Sequence, residues 1–239
     1  MRQTRRMCQG SIALMILALV SFAQEPKNQG KQTPGQQGWR DSFSVDKANL
    51  ADTGRNAYMI LEPGYRLIME KGKDTLIITV LNETKLVDGV VTRVVEEKET
   101  EGGQLAEVSR NYFAIDKTTS DIYYFGEDVD TYKNGKVTGH EGAWLAGVNG
   151  AKFGLMMPAK PKVGERYYQE IAPKIAMDRA QIISLTETAG VPAGPFNNVL
   201  HTRESSAIES GSEDKWYAPN VGLIKDSDFV LARIEKGKL

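Results

Sequence analysis

Cysteine occurs once in the 239 residues, as Cys8, and the chain beyond it contains none. Everything after the first ten residues is thereby barred from disulfides and from thiolate metal sites. A lipid anchor would need a cysteine just after the apolar run Ser11 to Phe22, and Cys8 precedes that run. Histidine occurs only as His140 and His201, so a histidine-based zinc site could assemble only from these two and carboxylates distant in sequence. No apolar stretch reaches the roughly 20 residues that span a bilayer, and the apolar core Ile12 to Val20 is far too short. Excess charge is missing too: 30 basic residues face 31 acidic ones. Discounting Arg2, Arg5 and Arg6 leaves a net charge near −4, which makes nucleic acid an unexpected partner. A Gly-x-Ser-x-Gly elbow, a phosphate loop and a dinucleotide fingerprint are all absent, and nothing nominates a cofactor.

What is present begins with an export signal. Arginines without acids, the apolar run and Ala23 after Ser21 form the three parts of a secretory signal peptide over residues 1–23. Removal of that signal leaves no transmembrane segment, and the expected location is periplasmic or secreted. Residues 24–38 hold ten Gln, Gly or Pro in fifteen and no aliphatic side chain. Such a stretch buries too little to offset its ordering entropy and is expected to be a flexible leader. The ordered domain is expected over 39–239. It opens with a short helix over Asp46 to Thr53, with Ser44 or Asp46 as N-cap and Gly54 as terminator.

From Tyr65 onward apolar residues alternate with polar ones, interrupted by turn-forming dipeptides. Tyr65, Leu67 and Met69 set the phase of one strand, and Leu76, Ile78 and Val80 that of the next. Further strands are expected at Val90 to Lys98, Leu105 to Ile115, Ile122 to Lys133, Lys136 to Trp144, Arg166 to Ala172, Arg179 to Thr188, Asn197 to Ile208, Asp214 to Ala218 and Leu223 to Ile234. Asn134-Gly135 is the strongest hairpin signal, because a type I′ turn needs two residues at positive φ. No helical stripe interrupts the series. The fold class is therefore mainly β, a single curved antiparallel sheet or open barrel of about ten strands with the short helix before it.

Several fragments resemble catalytic motifs and fail on chemistry. His140-Glu141-Gly142-Ala143-Trp144 starts like a zinc-protease helix but places Trp144 where the second histidine belongs. Asp128 and Asp130 share a strand face at a spacing of roughly 6.6 Å, compatible with a glycosidase pair and equally with a solvent face. A calcium loop begun at Asp128 would have Lys133 at its glycine position and Gly139 at its glutamate position. Ser44-Val45-Asp46-Lys47 matches Ser-x-x-Lys without its companion elements. The aromatics carry a different signal. Tyr123-Tyr124, Tyr167-Tyr168 and Trp216-Tyr217 are adjacent pairs, so each sends one ring inward and one outward. They can serve as core and cross-strand packing, or they can line an apolar hollow in the curved sheet. On the second reading the ligand-binding candidates are Tyr124, Trp144, Phe153, Met156, Tyr167 and Trp216, with Phe153, Met156 and Met157 as adaptable lining at the mouth.

Five segments together resemble a widespread group of exported bacterial proteins without an assigned activity. They are Asn56 to Gly64, Tyr124-Phe125-Gly126-Glu127-Asp128-Val129, Glu141-Gly142-Ala143-Trp144, Met157-Pro158-Ala159-Lys160-Pro161 with Val163-Gly164, and Trp216-Tyr217-Ala218-Pro219-Asn220-Val221-Gly222-Leu223. The resemblance implies a curved antiparallel sheet and carries over no catalytic residue. The leading functional expectation is an exported module that binds an apolar small molecule, a lipid moiety or an envelope protein. A structural or interaction protein of the cell surface, and a hydrolase using dispersed carboxylates such as Glu127, Asp128, Asp130 or Glu141, are the alternatives.

Overall fold

The computed structural model describes residues 38–237. The expected signal peptide over 1–23 and the expected leader up to residue 37 lie outside the described residues. Among the described residues no helix is long and apolar enough to cross a membrane.

Order begins with an irregular segment anchored to the sheet: the Arg40 N–H donates to the Arg166 carbonyl at 3.0 Å and the Tyr168 N–H donates to the Arg40 carbonyl at 2.9 Å. The expected helix over Asp46 to Thr53 is a correction. Asp46 does cap, accepting the Ala48 N–H at 3.0 Å, but only a single 3-10 turn follows, Lys47–Asn49. Leu50–Ala51 then leaves helical geometry as strand β1 and pairs with Asp116 and Ile115. Eight residues cannot offset the cost of helix nucleation, whereas a waiting strand edge supplies hydrogen bonds at once.

The domain is antiparallel β throughout its named strand pairs, as the alternation predicts. The strands are β2 Tyr65–Lys71, β3 Asp74–Val87, β4 Val90–Glu101, β5 Gln104–Asp116, β6 Ile122–Lys133, β7 Lys136–Gly139, β8 Trp144–Leu145 and β9 Lys152–Met157. After them come β10 Arg166–Tyr168, β11 Glu170–Ile171, β12 Asp178–Val191, β13 Gly194–Ser206, β14 Glu213–Ala218, β15 Gly222–Asp226 and β16 Phe229–Lys236. The hydrogen-bonded order is β10-β12-β13-β14-β15-β16-β2-β3-β4-β5-β6-β9-β11, with β1, β7 and β8 off this path. Sixteen strands replace the expected ten or so, for identifiable reasons. Lys136 to Trp144 is broken at the turn Glu141-Gly142, Leu223 to Ile234 is folded into a hairpin at Ser227 (φ 51), and β9 is a strand the alternation did not expose.

The two ends of the path belong to consecutive strands. β10 lies at one edge and β11 at the other, separated only by Gln169, so residues 166–171 form the seam of a nearly closed barrel. Gly154 makes the seam possible: a Cβ there would stand 2.3 Å from the Gln169 carbonyl oxygen and 2.7 Å from that of Tyr168. The β6–β7 turn takes the expected form, with Asn134 at φ 53 and Gly135 at φ 73 and Lys133 paired with Lys136.

Directly paired residues share a face of the sheet, so register separates the inside of the barrel from the outside. Leu67 pairs with Ile78 and Met69 with Leu76, and Leu231 pairs with Met69. Their row continues through Tyr124, opposite Phe113, and through Ile182, Leu200 and Tyr217. These residues belong to one contiguous hydrophobic core in which Met69, Ile182, Leu200 and Leu231 are fully buried.

Candidate functional site

The inner face is not uniformly apolar. Glu99 pairs with Leu76, Glu97 with Ile78 and Glu107 with Glu99, which places these carboxylates in phase with the core residues. Across the barrel, Lys215 pairs with Thr202 on one side and Asp226 on the other. The Lys215 ammonium lies 3.0 Å from Glu204 Oε2, 3.3 Å from Glu213 Oε1 and 3.7 Å from Asp226 Oδ2. Lys215, Glu204 and Asp226 are all buried. The second Glu204 oxygen accepts from Gln169 Nε2 at 3.2 Å, Thr202 Oγ1 at 3.3 Å and the Tyr217 hydroxyl at 3.4 Å. A buried charge is costly unless paired and hydrogen-bonded, and this arrangement supplies both.

Two further carboxyls crowd the same region. Burial and then the neighbouring charges of Glu127 and Asp178 hold Glu170 far above the ordinary carboxylate range. Asp178 is pushed up to about 6, first by burial, with the Ser206 hydrogen bond opposing it and the Glu204 charge adding to it. Asp178 Oδ1 and the hydroxyl of the fully buried Tyr167 have no hydrogen-bond partner. Sequence reading missed this cluster, although its signal is visible afterwards: Glu204 and Ser206 continue the inward phase of Leu200 and Thr202, and Lys215 precedes Tyr217 in the same phase.

The six aromatic and methionine candidates are dispersed. Tyr124 packs inward against Phe113 at 4.6 Å and Trp144 at 5.4 Å, and its hydroxyl donates to Asn111. Tyr167 is wholly buried on the inner face, opposite Ala180. Half-buried Met156 accepts from Gln169 Nε2 at 3.7 Å. Phe153 stacks on Phe125 at 5.0 Å and meets Tyr123 edge-on at 5.8 Å. Trp216 points the other way. It stacks on His201 at 4.6 Å, carries Lys225 over its ring at 4.5 Å and donates from Nε1 to Glu187 at 2.8 Å. The adjacent-pair rule therefore holds for Trp216-Tyr217, and for Tyr167-Tyr168, whose second ring meets Trp39 at 6.3 Å.

The histidines lie apart. His140 Nδ1 contacts Asp130 at 2.9 Å on an exposed hairpin, while His201 lies between Glu187 at 2.8 Å and Asp214 at 2.9 Å. Burial raises both of these carboxyls, but hydrogen bonds from Trp216 and His201 to Glu187, and from Arg203 and His201 to Asp214, outweigh it and leave both below the usual range. Asp128 is likewise held down against burial by Lys85 at 2.8 Å and by the Tyr112 hydroxyl. Lys47 of the Ser-x-x-Lys fragment is engaged by Asp88 at 2.7 Å.

One concave feature brings a sequence candidate together with charge. A cleft of about 240 Å³ is walled by Ala143, Trp144, Leu145, Val148, Ala151 and Ile175, with Glu127, Asp128 and Asn149 as its polar residues. Its elements are the β7–β9 connection, the middle of β6 and the turn that follows β11. Gly126 (φ 137) lets β8 lie against β6, since a Cβ there would stand 2.3 Å from the Trp144 carbonyl oxygen. Trp144 is the one predicted ligand-binding residue lining this cleft, and Ala143, Leu145, Ala151 and Ile175 had no sequence signal beyond being small or apolar.

No family model matches the chain, and no curated protein matches it. A solved structure of a "putative lipoprotein" from Parabacteroides distasonis ATCC 8503 is similar with a TM-score of 0.35 and 12% identity, over 76% of this chain and 100% of that one.

Proposed function

We propose that the protein is an exported binding module whose ligand seat is the cleft beside Trp144. The carrying observation is that cleft: about 240 Å³ of concave space with mostly apolar walls, beside the hydrophobic core of the barrel. That volume lies just below the usual range for drug-sized ligand pockets, which suits a smaller ligand. Export rests on the three-part signal of residues 1–23, and the seat rests on Trp144 supplying a large flat apolar wall with little rotamer entropy to lose. Tyr124 supports that wall from beneath at 5.4 Å. Phe153, Met156, Tyr167 and Trp216 then act as packing around the seat and through the sheet, not as contacts.

Nuclear magnetic resonance titration of the full chain with toluene, a small neutral apolar probe, tests this reading. Saturable shifts are expected at Ala143, Leu145, Ala151 and Ile175, and Ala143→Phe, which fills the space, should abolish them. Shifts scattered over other strands, or none up to the solubility of toluene, would remove the cleft as the seat. Native mass spectrometry after gentle purification adds a direct check, because a resident ligand appears as extra mass that Ala143→Phe lacks.

A further inference from the structure

We infer that Trp39, Arg166 and Arg179 form an oxyanion site on the outer face of the barrel, suited to a phosphoryl group carrying two negative charges. The site shares no residue with the Trp144 cleft and does not rest on it. Register builds it. Across β10 and β12, Arg166 pairs with Gln181 and Tyr168 with Arg179, in the phase opposite to inward-facing Tyr167, so these four side chains share the outer face. Arg166 and Arg179 are diagonal neighbours there, a relation that sets backbone positions roughly 7–8 Å apart and lets two long side chains reach one group. The segment before β1 lays Trp39 over them. Arg40 is tied to the outer edge of β10 by its backbone hydrogen bonds to Arg166 and Tyr168. The indole beside it lies 5.6 Å from the Arg166 guanidinium, 4.5 Å from that of Arg179 and 6.3 Å from the Tyr168 ring.

Charge complementarity carries the assignment. The arginines that flank the pair are already neutralised: Arg40 is ion-paired with Glu165 at 3.2 Å, and Arg203, opposite Gln181, with Asp214 at 3.0 Å. Among the described residues neither Arg166 nor Arg179 has a carboxylate partner, and Asp41, the acid nearest Trp39 in sequence, pairs with neither. Their charges are held against one indole, through contacts that use the flat face of a guanidinium and leave the N–H donors on its edges available. Of those donors, Arg179 Nε is given to Ser205 Oγ at 3.3 Å. Two guanidiniums side by side repel one another. A dianion between them removes that repulsion and accepts from both, whereas a carboxylate brings one charge for two. Trp39 adds preorganisation, because side chains already held against a ring lose less freedom on closing around a ligand.

The test titrates inorganic phosphate and acetate, at matched ionic strength and about pH 8, where phosphate is dianionic, into the full chain. Nuclear magnetic resonance follows the Trp39 indole N–H and the Cζ atoms of Arg166 and Arg179. Phosphate should move all three saturably and bind roughly tenfold more tightly than acetate, and added salt should erode the difference. Arg166→Gln and Arg179→Gln should each weaken phosphate about tenfold, as for loss of one charged hydrogen bond, with the amide spectrum of the other strands unchanged. Trp39→Leu keeps both charges and removes the ring that positions them, and should cost about threefold. Glucose 6-phosphate in place of phosphate distinguishes an esterified from a free phosphoryl group by which of the two binds more tightly. Equal affinities of phosphate and acetate for the unsubstituted protein, a comparison that needs no variant to fold, would overturn the assignment. So would phosphate binding that survives both arginine substitutions together, or shifts that leave Trp39 unmoved.

Discussion

Replacing Asp178 by asparagine should stabilise the protein above neutral pH and leave it nearly unchanged in acid. Asp178 sits on β12 opposite Ser206, with its carboxyl pushed up from 3.8 to about 6 by burial and by the nearby Glu204 charge. A carboxyl whose folded-state value is raised stabilises the fold while protonated. That contribution is complete below about pH 4 and is lost as the pH climbs through 6. Two pKa units at 1.36 kcal/mol each amount to about 3 kcal/mol, fully lost by pH 7.5. Asparagine has the same shape and cannot ionise, so it does not incur the loss. Urea unfolding of both proteins from pH 4 to 7.5 gives the difference curve directly, and other titrating groups cancel to first order. The difference should grow by about 3 kcal/mol in favour of asparagine, a rise in melting temperature of roughly 6–12 °C for a domain of this size. A flat difference curve, or one that falls with pH, would show that the inner face accepts the Asp178 charge without cost.

Lys215→Met should destabilise by about 3–5 kcal/mol at pH 7, because it removes the cation from between the buried carboxylates of Glu204 and Asp226; a denaturation midpoint within 1 kcal/mol of the parent would mean that the pairs are replaceable by water. Gly154→Ala should cost about 2–3 kcal/mol through a steric collision with the seam backbone, and hydrogen exchange should show the amides of residues 166–171 losing protection first. Gly135→Ala should cost only about 1 kcal/mol, since its φ of 73 is unfavourable for alanine but nothing lies within 4 Å of the new Cβ; calorimetry of the two glycine variants separates conformational from steric loss.

The β class and most strand positions were legible because period-two alternation depends only on local side-chain order. The Asn134-Gly135 hairpin was legible for the same reason, since positive φ at two successive residues is a property of the dipeptide. Strand number was not. β8 has two residues and β11 has two, and each exists because a neighbouring backbone happens to lie alongside, which no local pattern announces. The 3-10 turn in place of a helix follows the same logic. Asp46 caps whatever turn follows it, and the length of that turn is decided by the β5 edge that captures Leu50.

The site was harder to read, because alternation assigns residues to two faces without saying which face closes inward. Along β4, Val91, Arg93, Val95 and Glu97 form one set and Val90, Thr92, Val94 and Glu96 the other, and both contain apolar and charged members. Only closure at the seam makes Glu97 an inward residue, and closure rests on Gly154, 15 positions from the carbonyl of Gln169 that it admits. The segment that closes the barrel then contributes Ala172, Pro173 and Ile175 to the cleft and carries Glu170 between them and the Lys215 cluster. Burial and the neighbouring charges of Glu127 and Asp178 hold the Glu170 carboxyl far above the ordinary range, so closing the seam and protonating that carboxyl favour one another.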